Sequence, residues 1–172
     1  MLGYQTGASL TLTFIVLYLI EEIHIEPIYA GLFGSLSLII GIIISPLSGK
    51  LYDKFKNAKK LLFISAMISA LSIMSISINS IYIIIIAIIT SGIFLSIGFV
   101  VVYTRARQSK KIIQEYQTLS VGYVNGISLF GSFWIPIIFS FTVSQLSYKI
   151  AWLCAGITII ILSLPILRLD SD

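Results

Sequence analysis

Gln5, Ser9 and Thr13 recur at i, i+4 and i+8 within an otherwise apolar stretch, so on a helix they share one face. Thr90 and Ser91 in a later stretch, then Asn125 and Trp134 in another, complete the set of polar side chains set among apolar ones. Uncharged amides and hydroxyls of this kind can hydrogen-bond a neutral solute in a water-filled cavity. They can equally bond neighbouring helices, each such contact worth about 0.6–2 kcal/mol. Ser9 and Thr90 read better as interhelical bonds. Asn125 is the better binding candidate, because a buried amide demands several partners.

Other chemistries find no purchase. No charged residue stands in the middle of an apolar segment; an ionisable group there would mark a proton relay or a charged-substrate site, or a ring in a channel. His24 is the single histidine, in the stretch EEIHIEP, and one imidazole in a short exposed loop is simply solvated. Ser128 has no helical histidine to act as its base, so intramembrane proteolysis has no nucleophile–base pair. A phosphate-cradling glycine loop is missing, and with it an ATP-driven motor. Cys154 lies in an apolar run and reads as a buried, inert thiol. The expectation is therefore a protein that is not an enzyme and uses no metal or other cofactor.

The elements that must position these polar groups are set by composition. Of 172 residues, 58% are hydrophobic and 10% charged, with a mean hydropathy of +1.04. Soluble domains carry about 25% charged residues. So much apolar surface cannot be buried in a 19.0 kDa globule, and the second apolar solvent is lipid. Six segments approach the roughly 20 residues that cross a bilayer core: 2–20, 28–48, 61–78, 81–103, 119–141 and 150–167. Several are rich in isoleucine and valine, yet in lipid every backbone polar group must be satisfied within its segment, so they become helices. The fold class is all-α: a polytopic membrane protein, with residues 1–172 forming one six-helix transmembrane domain.

Orientation follows from the basic residues. Of the chain's 11 lysines and arginines, all but Lys149 fall on one side. Lys50, Lys54, Lys56, Lys59 and Lys60 follow segment 2; Arg105, Arg107, Lys110 and Lys111 follow segment 4; Arg168 is in the tail. Glu21, Glu22 and Glu26 lie opposite. The positive-inside rule then puts both termini in the cytoplasm of a cell-membrane protein. The +4 net charge reports this topology and implies no nucleic-acid partner. Small residues also recur at helical spacing, Ser37, Gly41, Ser45 and Gly49 in segment 2, Gly122 and Gly126 then Ser128 and Ser132 in segment 5. Such rows let helix backbones approach closely in lipid. Pro46 and Pro136 fit kinks whose freed carbonyls find other partners.

Between segments 2 and 3 stands GKLYDKFKNAKK, residues 49–60. A glycine, an aspartate four residues on, and following basic residues resemble the signature loop of the major facilitator superfamily. Gly49, Asp53 and Lys54 fit that pattern, and Lys59 and Lys60 approximate its trailing basic pair. Lys56 stands where a glycine is usual, and Asn57-Ala58 interrupt the basic run. This weaker match looks like the copy in the second half of such transporters. Tyr18-Leu19, an acidic loop and then GLFGSLSLIIGIIISPLSG resemble the family's seventh and eighth helices. SVGYVNGISLFGSFWIPIIF, with Tyr148 and Trp152 beyond it, is similar to the eleventh and the approach to the twelfth. Segment 4 lacks the arginine often found in the family's fourth helix, which points the same way.

The resemblance covers nearly the whole chain and implies one six-helix half of a transporter, built as a 3+3 inverted repeat. Segments 1 and 4 would face a cavity, 2 and 5 would flank a second half, and 3 and 6 would face lipid. Residues 49–60 would act as a conformational gate, with Asp53 structural rather than substrate-binding. The partners implied are the lipid bilayer, a small-molecule solute, and a second half that is either a separate chain or another copy. The abrupt start of segment 1 at Met1 fits a chain that begins partway into a longer ancestral protein. It also leaves open a non-transporting remnant or membrane interaction protein from a split or truncated gene.

Overall fold

The computed structural model describes residues 1–55, 57–108 and 116–168. Among them every regular element is helical: α1 Leu2–Glu21, α2 Pro27–Phe55, α3 Ala58–Ser75, α4 Ile81–Gln108, α5 Gln117–Gln145 and α6 Tyr148–Ser163. Each of the six, counting the 3-10 turns Ile76–Ile78 and Leu164–Arg168 with their preceding helices, is long and apolar enough to cross a membrane. At 29 residues, α2 and α5 are about 43 Å long, against a hydrocarbon core of about 30 Å, so their ends reach the headgroups.

The helix ends are set by local chemistry. Pro27 opens α2, where its missing N–H costs nothing. Ser147 caps α6, accepting from the Ile150 N–H. Pro165, with no N–H to give, sits in the 3-10 turn that follows α6. Asn79 takes a left-handed conformation, φ 56°, at the end of the turn after α3. His24, φ 58°, does the same between α1 and α2.

Residues 49–60 differ from the expected loop. Helix α2 runs on through Gly49 and Asp53 to Phe55, and α3 begins at Ala58. Nothing in KLYDKF breaks a helix, so the ladder continues past the membrane edge to Phe55, and Asn57 stands before the next helix. That residue caps α3, its side-chain oxygen accepting from the Lys60 N–H at 3.0 Å. The interruption of the basic run at Asn57 is thus a helix start. Lys56, Lys110 and Lys111 lie outside the described residues.

The helices alternate in direction. Tyr4 and Tyr18 of α1 bond the backbone at the start and end of the third membrane segment, which makes those two parallel. Tyr148, opening α6, bonds Glu21, closing α1. The main packing partners of α1 are α2, α5 and α6; those of α4 are α5, α2 and α3. Exchanging the first three helices with the last three maps one set onto the other, the relation an inverted 3+3 repeat requires.

Two apolar clusters fill the bundle. One, toward the acidic end, joins Phe14, Tyr18, Ile73, Ile84, Phe139 and Trp152; the other, toward the lysine-rich end, joins Tyr4, Leu62, Ala66, Leu95 and Val101. Glycine makes the closest approaches possible. A Cβ on Gly156 of α6 would lie 2.8 Å from the Ala70 carbonyl of α3, and one on Gly98 would sit 1.9 Å from the Tyr4 ring. In a bilayer, where lipid is as apolar as leucine, such close packing rather than hydrophobic burial holds helices together.

Burial separates inner from outer helices. Within their spans α1 buries 56% and α4 50%, whereas α2 buries 11% and α5 17%. Helix α3 also buries 50% and shows only a narrow outward stripe, Ile64, Leu71 and Ile78. Cys154 is exposed on α6, which corrects the expectation of a buried thiol. In lipid the outer surface is itself apolar, so an apolar run does not distinguish inside from outside.

Candidate functional site

Three groups of polar residues concentrate where helices meet. The first joins α1 to α5. Gln5 Nε2 donates to Ser9 Oγ at 3.0 Å and to Ser132 Oγ, while Ser128 donates to Gln5 Oε1. Both amide protons of Gln5 are therefore committed within the bundle, as is its carbonyl. Gln5 and Ser9 work as a tie between helices. Thr13 is exposed, one turn beyond.

The other sequence candidates scatter. Ser91 is fully buried and donates back to the Ile88 carbonyl, on a face of α4 that is packed inward. Thr90 is half-buried, with no side-chain bond among the described residues. Asn125 is exposed and accepts from the Tyr103 hydroxyl at 3.3 Å, linking α5 to α4. Trp134 is 46% exposed and stacks edge-on against Phe133 on the outer face of α5. Of the small-residue row on α5, Ser128 and Ser132 meet α1 as expected, but Gly122 and Gly126 face open space.

The second group is a cavity that the sequence alone did not single out. It lies between α1, α2 and α4, holds about 350 Å³ and opens to one side. Thr11, Ser37, Gly41, Ser45, Gly92 and Ser96 line it, with Leu12, Leu38, Ile42, Leu95 and Phe99 as apolar walls. These positions fall in the middle of their helices, near the depth of the bilayer midplane. The row Ser37, Gly41, Ser45, read from sequence as a packing stripe, partly is one. A Cβ on Gly92 would meet the Ser37 backbone at 3.4 Å, and one on Gly41 would meet Ser96 Oγ at 3.3 Å. The same row also forms the cavity wall.

Thr11 is the exceptional member. It is 1% exposed, and its Oγ1 has no hydrogen-bond partner. Serine and threonine in helices normally give their proton to a carbonyl one turn back. Ser37, Ser45 and Ser96 do so, to Gly34, Gly41 and Gly92 at 3.2, 2.7 and 2.8 Å. A buried hydroxyl left unpaired costs about 1–3 kcal/mol. The only other such orphan among the described residues is Trp152 Nε1, which is enclosed by the Tyr18 and Phe139 rings and lies outside the cavity lining. Nothing in the sequence sets Thr11 apart from the neighbouring hydroxyls; only its missing partner marks it.

The third group is the lysine-rich hinge. Asp53 and Lys54 are exposed in the last turns of α2, and Lys59 and Lys60 stand in the first turn of α3. Lysines at a helix N-terminus oppose its dipole, so they are not there to stabilise α3. Gly49 has open space where a Cβ would be, room for another chain to approach.

Six apolar helices in this pairing, with a mid-membrane cavity and a charged hinge at one end, define a multi-pass membrane protein of the transporter kind. The model of the Major Facilitator Superfamily matches residues 1–171. The chain belongs to that family. No curated protein and no solved structure gives a significant match.

Proposed function

We propose that this chain is one six-helix half of a secondary transporter, moving a small solute across the cell membrane by alternating access and requiring a second half. The observation that carries the reading is the contrast between inner α1 and α4 and outer α2 and α5, whose faces leave Ile39, Ile42, Ile43, Tyr123, Phe130 and Trp134 exposed. A second half, a separate chain or another copy, laid against α2 and α5 would close the open side of the mid-membrane cavity. Solute would reach it from either side in turn as the halves rock.

Both termini are cytoplasmic in this reading, because the basic residues gather at one end. Gly49, Asp53, Lys54, Lys59 and Lys60 form the gate: the charges at the end of α2 and start of α3 would pair with the second half when the inner side closes, and separate when it opens.

Co-expression with a second six-helix half, from a neighbouring reading frame where one exists, and uptake assays in vesicles test the proposal. Uptake should need both halves and should fall in Asp53→Asn. A purified chain that stays strictly monomeric and captures no other membrane polypeptide counts against the half-transporter. Uptake that survives Asp53→Asn removes the gate.

A further inference from the structure

The lysines of the hinge stand in register with exposed apolar side chains of the membrane spans. On α2, Ile43, Leu47, Lys50 and Lys54 follow one another by four, three and four residues, all exposed and on one face. That face lies about 130° round the helix from Leu38 and Ile42, which line the cavity. On α3, Lys60, Ile64 and Leu71 follow by four and seven residues, so Lys60 continues the narrow outward stripe of that helix. Each stripe is hydrocarbon within its span and ends in an ammonium group at the same joint, between Phe55 and Ala58. Leu51, Tyr52, Ala58 and Leu61 pack against the apolar cluster at this end, which gives the lysines a fixed base. The overhang of α2 past the bilayer core brings Lys50 and Lys54 to the headgroup layer, where long ammonium side chains reach phosphate oxygens.

The charge of these lysines is unmet. Among the described residues none of the three pairs with Asp53, which stands about 100° round α2 from Lys54. Lys60, in the first turn of α3, adds its charge to the positive end of that helix's dipole. The positive-inside rule accounts for the side of the membrane on which the lysines lie, but not for their alignment with exposed apolar residues. We propose that the α2–α3 joint binds an anionic phospholipid of the adjoining leaflet. Its phosphate lies on Lys50, Lys54 and Lys60, and its acyl chains run along Ile43 and Leu47 on α2 and Ile64 and Leu71 on α3. A zwitterionic lipid fits the apolar stripes equally well, but its choline offsets the charge that the lysines attract, so headgroup charge decides the affinity. The inference goes beyond the transporter reading and needs neither transport nor a second half.

Binding is measured on the full chain, delipidated in detergent and titrated with phosphatidylglycerol or with phosphatidylcholine, by native mass spectrometry of the first bound lipid. The native chain should prefer phosphatidylglycerol at least about fivefold, the gain that one lysine beside anionic lipid supplies. The triple variant Lys50→Gln, Lys54→Gln, Lys60→Gln should lose most of that preference. A charge-matched variant, Lys59→Gln, Arg107→Gln, Arg168→Gln, removes three cations off the two stripes and should keep it. Equal affinity of the native chain for the two lipids overturns the proposal and leaves the hinge lysines to the second half. Equal loss in the two triple variants also overturns it, because the attraction would then be diffuse and belong to the whole basic end. Should the first triple variant not fold, Lys54→Gln and Lys60→Gln singly, each compared with Lys59→Gln, decide the matter by the same criterion.

Discussion

Tyr4 and Tyr18 each donate a hydroxyl proton to a backbone carbonyl 58 residues further along the chain, Tyr4 to Leu62 and Tyr18 to Ile76 at 2.9 Å. The equal separation pins α1 and the third membrane segment side by side, parallel and in one register, at both ends. Each bond also carries a second partner, Ser65 Oγ for Tyr4 and Asn79 Oδ1 for Tyr18. A slip by one residue along either helix would break both ends at once.

Tyr18→Phe should therefore cost about 1 kcal/mol, since it leaves the Ile76 carbonyl and the Asn79 amide short of a donor in a low-dielectric interior. Thermal unfolding in detergent, or steric trapping in bilayers, measures it. An unchanged transition would show that the outer tie adds no stability.

Gly98 is where the Tyr4 ring lies on α4. A Cβ there would stand 1.9 Å from Tyr4 Cε1, so Gly98→Ala must push the ring off its bonds to α3. Overpacking of this kind costs about 1–3 kcal/mol. Combined with Tyr4→Ala the glycine change should become nearly harmless, a coupling that a double-mutant cycle reads directly.

The amide of Gln5 makes bonds to Ser128 and Ser132 across the α1–α5 boundary. Gln5→Leu should lose about 0.6–1.7 kcal/mol of that tie, and Ser132→Ala should cost much less in the Gln5→Leu background than in the native one. Additive losses would place the two residues outside one network.

The single Cys154 is exposed on α6 within a membrane span, so a charged maleimide should fail to label it in sealed vesicles and label it after detergent extraction. In a Cys154→Ser background, cysteine introduced at Lys59 should react from the cytoplasmic side and cysteine at Glu26 from the other. Labelling of both from one side would refute the topology drawn from the basic residues.

What the sequence determined by itself is everything that depends on composition and length. An excess of apolar residues in six runs requires lipid, lipid requires that each run close its own hydrogen bonds, and so six membrane-spanning helices follow. The family was legible as well, from Gly49, Asp53 and Lys54 in order. The tertiary structure alone decided which face of each helix looks inward. In water, polarity marks the outer face of a helix; in lipid both the core and the outer face are apolar, so that signal vanishes. This is why Cys154 turned out exposed and Ser91 buried. It is also why Gln5 is tied into the bundle while Thr11, unremarked among neighbouring hydroxyls, is the one left without a partner beside a cavity. Hydrogen-bond satisfaction is a property of neighbours in space, and only the packed helices supply them.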